Sequence, residues 1–73
     1  MKRYKVLEEL VLGFIEETGH GDQYDALVKP ADGVELESDG ETIWAFKGDW
    51  RKESTTMAGA IDLWLKEGRI ADA

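Results

Sequence analysis

No cysteine occurs anywhere in this 73-residue chain, and its single histidine stands between two glycines. A domain this short buries only about 60% of the surface its unfolded chain exposes. Small folds of this kind are commonly held by disulfides or a structural zinc, and neither has the ligands here. Stability must therefore come from apolar packing or from association. Hydrophobic residues make up 42% of the chain, enough for a core and too many for a disordered acidic tail. Three tryptophans, two tyrosines and two phenylalanines carry much of that burial.

The basic start Met1-Lys2-Arg3-Tyr4-Lys5 precedes an apolar stretch, but Glu8, Glu9, Glu16 and Glu17 interrupt it. A signal peptide's apolar segment does not carry such charges, and no run approaches the roughly 18 apolar residues of a membrane span. The expected setting is cytoplasmic.

Helical spacing of Tyr4, Leu7, Leu10, Val11, Phe14 and Ile15 predicts a helix over residues 3–18. With Val6 its apolar arc covers roughly half the circumference, wider than the usual stripe of about 100°. Leu12 falls outside even that arc, and Gly13 costs about 1 kcal/mol inside a helix. Gly19 is the expected left-handed cap. Residues 22–29 are expected to form one helical turn ended by Pro30, with a turn at Pro30-Ala31-Asp32-Gly33.

A β-hairpin is expected over residues 34–37 and 41–47. A two-residue Asp39-Gly40 loop would pair Leu36 with Ile43 and set Trp44 and Phe46 beside Glu35 and Glu37. A three-residue loop pairs Leu36 with Thr42 and gathers Val34, Leu36, Trp44 and Phe46 on one face. Consistent burial selects the second register. Trp50-Arg51-Lys52 makes a short third strand. A second helix spans residues 55–67, with Met57, Ile61, Trp64 and Leu65 on one face and Gly68 as its terminating glycine. The expected architecture is α+β in one domain over residues 1–73: an N-terminal helix, an antiparallel β-hairpin or three-stranded meander, and a C-terminal helix.

Net charge is −7, within the ordinary range for solubility, but its placement is uneven. Residues 8–46 hold eleven acids against Lys29 alone, a balance of −10. If folding gathers them, they form an acidic docking surface that speeds encounter with a basic partner and selects it. Duplex DNA carries one charge per about 1.7 Å of axis, so such a patch could stand in for phosphates before a nucleic-acid-handling protein. The candidate partner-binding residues are Glu16, Glu17, Asp22, Asp25, Glu35, Glu37, Asp39 and Glu41, with Trp50 as an aromatic anchor.

Other chemistries fit less well. Glu35-x-Glu37-x-Asp39-Gly40 has the rhythm of half a calcium loop, but its twelfth position is Phe46. His20 has no zinc co-ligands, and nothing marks a nucleophile for it to activate. No phosphate-binding glycine loop or nucleophile elbow appears. The chain reads as non-enzymatic, without cofactor or metal. An alternative is a homodimer built on the wide apolar face of the first helix. Another is direct single-stranded nucleic-acid binding through Trp44, Trp50, Arg51 and Lys52, which the net charge opposes.

In size, acidity, missing cysteine and compact α+β layout, the profile resembles that of small phage-encoded inhibitors, including anti-CRISPR and other anti-defence proteins. That resemblance covers the whole chain and implies inhibition by steric or electrostatic occlusion.

Overall fold

The computed structural model describes residues 1–73. Strands are β1 (Lys2–Val6), β2 (Leu10–Ile15), β3 (Gln23–Val28), β4 (Glu35–Ser38), β5 (Ile43–Lys47), β6 (Trp50–Ser54) and β7 (Ile70–Asp72). A single 3-10 turn, Pro30–Asp32, lies between β3 and β4, and one helix, α1 (Ala60–Lys66), precedes β7. At 47% strand and 14% helix the fold is mostly β, which corrects the α+β expectation. Five strands form a sheet in the order β6-β5-β4-β1-β7, and β2 pairs with β3 in a second sheet; all pairings are antiparallel.

The N-terminal helix is absent. Its residues form β1 and β2, with Glu8 and Glu9 in the connection. In β1, Tyr4 and Val6 are buried while Arg3 and Lys5, which alternate with them, face out. In β2, Leu10, Leu12 and Phe14 point into the core while Val11 and Ile15 are exposed. An almost unbroken apolar run satisfies periods of 3.6 and 2 together. Strand alternation prevails because it buries Leu12 completely, which the helix could not. The helical turn expected over residues 22–29 is likewise strand β3, placing Tyr24 opposite Phe14 and Val28 opposite Leu10.

Gly13 joins the two sheets. Its carbonyl accepts from the Thr55 N–H (2.8 Å) and the Ser54 hydroxyl (2.7 Å), and its N–H donates to Thr56 Oγ1 (2.9 Å). A Cβ at this position would lie 2.6 Å from Thr55 Oγ1. Gly13→Ala should therefore destabilise the fold by about 1–2 kcal/mol, as other overpacked sites do. Adding Thr55→Ala should restore most of the loss, measured by urea denaturation of the single and double variants.

The β4–β5 connection is a four-residue loop, Asp39–Thr42, so Leu36 pairs with Ala45, Glu37 with Trp44 and Ser38 with Ile43. Neither expected register is present. The loop is set by side chains: Asp39 Oδ1 accepts from the Glu41 and Thr42 N–H groups (both 2.9 Å), and Ser38 Oγ accepts from the Gly40 N–H (3.1 Å). The shift leaves Leu36, Ile43 and Ala45 in the core and turns Trp44 and Phe46, with Glu35 and Glu37, to the opposite face.

The helix expected over residues 55–67 is shorter, and Met57 lies outside it and is exposed. Ile61 and Trp64 enter a single core cluster with Tyr4, Leu12, Leu36 and Ile70. The helix ends as the chain predicts. Gly68 is left-handed (φ 74°), its N–H reaches the Leu65 carbonyl, and the Arg69 N–H reaches the Trp64 carbonyl at 2.8 Å. This close turn launches β7 back beside β1. No helix is long and apolar enough to cross a membrane.

Candidate functional site

The eight candidate acids do not form one patch; the fold sends them to three places. Glu35 and Glu37 lie on the outer face of the five-stranded sheet. Register places two rows across this face, Arg3–Glu37–Trp44–Glu53 and Lys5–Glu35–Phe46–Arg51. Three cations and three acids share it, so the face carries no net charge. Glu37 is only 6% exposed. It accepts from Arg51 Nε at 2.6 Å and faces Arg3 Nε at 3.5 Å. Each guanidinium also covers an aromatic ring, Arg51 over Trp44 (4.6 Å to the centroid) and Arg3 over Phe46 (4.9 Å). Glu37 is therefore a structural hub rather than a docking group.

Asp39 and Glu41 occupy the β4–β5 loop. Both are exposed, but the Asp39 carboxylate serves the loop's own amides. Those hydrogen bonds, first from Thr42 and then from Glu41, hold its pKa below the usual aspartate range. The calcium-like run is thus drawn out along β4 and its loop, and no three potential metal ligands converge anywhere in the structure.

Glu16, Glu17, Asp22 and Asp25 all lie on the β2–β3 hairpin, with Asp25, opposite Gly13, on the other face from Tyr24. The β2–β3 connection is closed by the Glu16 N–H on the Asp22 carbonyl at 2.9 Å, and all four side chains are exposed. One cation approaches. Lys52 Nζ donates to Tyr24 Oη at 3.0 Å, lies over the Phe14 and Tyr24 rings, and reaches Glu17 only at 4.0 Å. The Tyr24 hydrogen bond, reinforced by Glu17 and Glu16, raises the Lys52 pKa against the opposing effect of burial. Counted over the four hairpin acids and Lys52 the charge is −3, and Glu17 makes their only ion pair. Glu16, Glu17, Thr18, Tyr24 and Lys52 border a shallow hollow of about 470 Å³.

Trp50 belongs to the same region. It stands two residues before Lys52 and so shares its face of β6, and it is 48% exposed. As expected from sequence, it faces away from Trp44 and Phe46. That division separates Trp44 and Arg51 from Trp50 and Lys52, so the four residues of the nucleic-acid reading do not make one surface. Sequence reasoning missed Tyr24 as a partner of Lys52. Reading residues 22–29 as a strand would have aligned Tyr24 with Phe14. Comparisons with protein-family models, curated proteins and solved structures find no match.

Proposed function

We propose that this chain is a non-enzymatic binding module that occludes a basic surface on a partner protein, with the β2–β3 hairpin as its docking end. The observation that carries this reading is the solvent-facing group of Glu16, Glu17, Asp22 and Asp25, held on a closed hairpin beside the exposed Trp50. Elsewhere the carboxylates of Glu37, Asp32 and Asp39 are engaged by arginines or by backbone N–H groups. Hairpin acids supply steering, and a half-exposed tryptophan supplies the kind of anchor that dominates interface energies. A protein that handles nucleic acid presents a phosphate-binding surface of suitable charge, and occupying it would block its ligand. A homodimer built on an apolar face of an N-terminal helix has no basis, because residues 3–18 form no helix.

Reversing all four acids to lysine tests the reading. Association with a basic nucleic-acid-binding partner should slow by at least about tenfold at low salt, and the wild-type and variant rates should converge as salt is added. An association rate unchanged by the four substitutions, with the fold intact by circular dichroism, would remove the hairpin from the binding surface.

A further inference from the structure

We propose that the free edge of β3 accepts an extended segment of the basic partner as an added strand, with a cationic side chain opposite Asp25 and an apolar one opposite Leu27. This deepens the docking role given above to the β2–β3 hairpin and rests on it. Because both backbone groups of Gly13 point toward residues 54–56, Gly13 and its partner Asp25 form a non-hydrogen-bonded pair. The N–H and C=O of Asp25 therefore point away from β2, and by alternation so do those of Gln23 and Leu27. No other strand pairs with β3, and these outward groups have no partner within the chain.

Exposed edges are usually blunted by lysine, proline or a bulge. Across Gln23–Val28 there is neither lysine nor proline, and the single charge is the carboxylate of Asp25. The hairpin acids give this edge a negative field, which selects a cationic strand. Leu27 and its cross-strand neighbour Val11 are both exposed, and they border a hollow of about 370 Å³ with Trp64 and Arg69. An apolar side chain two positions from the cation would reach that side of the edge. A second copy of this chain fits less well, since antiparallel pairing about Asp25 sets two carboxylates opposite each other.

The test uses a capped peptide, Thr-Val-Thr-Lys-Thr-Lys-Thr, and the same peptide N-methylated at its valine and lysine amides. Both carry the same charge, but only the first can form a ladder. The unmodified peptide should bind at least about tenfold more tightly and slow amide exchange at Gln23, Asp25 and Leu27. Equal binding of the two would overturn strand addition while leaving the acidic hairpin as a docking surface. Failure of both peptides and of oligolysine would overturn both readings. Exchange at those three amides that slows with protein concentration alone would assign the edge to a second copy and overturn the proposal.

Discussion

Leu12→Ala should lower stability by about 3–5 kcal/mol, while Val11→Ala should change it by less than about 0.5 kcal/mol. Leu12 is fully buried in β2 opposite Ala26, whereas Val11 is 51% exposed. A leucine truncated in a packed core loses its transfer free energy and leaves a cavity that the surroundings only partly fill. A chain of this length has only about 4–11 kcal/mol in total, so Leu12→Ala should remove a large share of its stability. The pair also discriminates between secondary structures. A helix over residues 3–18 puts Val11 on the apolar face and Leu12 outside it, the reverse ranking. Thermal or urea denaturation of both variants decides the matter, and equal losses would contradict the strand.

The second large effect is expected at Glu37. Its carboxylate lies beneath Arg3 and Arg51 and links the outer faces of β1, β4 and β6. An exposed ion pair contributes only about 0–1 kcal/mol, but charge-assisted hydrogen bonds out of solvent contribute about 1.5–3 kcal/mol. Glu37→Ala should cost an amount in that upper range. It should not exceed it, because both arginine side chains reach solvent (64% and 44% exposed) and regain water when the carboxylate is gone. Combining Glu37→Ala with Arg51→Ala should reveal a coupling of at least about 1 kcal/mol. A loss below about 0.5 kcal/mol would place Glu37 among ordinary surface ion pairs.

Some of this structure is legible from sequence. Gly68 ends the C-terminal helix as its spacing implies, and Trp50 begins a third strand that turns it away from Trp44. The N-terminal region misleads for a physical reason: apolar residues at positions 6, 7, 10–12, 14 and 15 match a helix and a strand at once. Leu12 and Gly13 were the discordant residues, and both have their explanation in β2, one as buried core and the other as the glycine that lets β6 approach. At the β4–β5 hairpin the error lay in the loop. The Asp39 side chain caps a four-residue connection, which loop length alone does not reveal. Aromatic character then suggested a core position for Trp44 and Phe46, where the fold instead covers each with an arginine.

The acidic site was only partly legible for a related reason. Charge counted along the chain does not say which cations fold back upon it. Arg3 comes from the first strand and Arg51 from the sixth, and both converge on Glu37. Lys52 by contrast is held by Tyr24 and the aromatic rings, which leaves the hairpin acids largely unneutralised.

Amide chemical-shift mapping of isotope-labelled protein titrated with oligolysine tests the central claim most directly. Shifts concentrated on residues 16–25, Trp50 and Lys52 are predicted. Changes of equal size around Asp39, Glu41, Asp62 and Asp72 would contradict it, since every exposed carboxylate would then attract the cation alike.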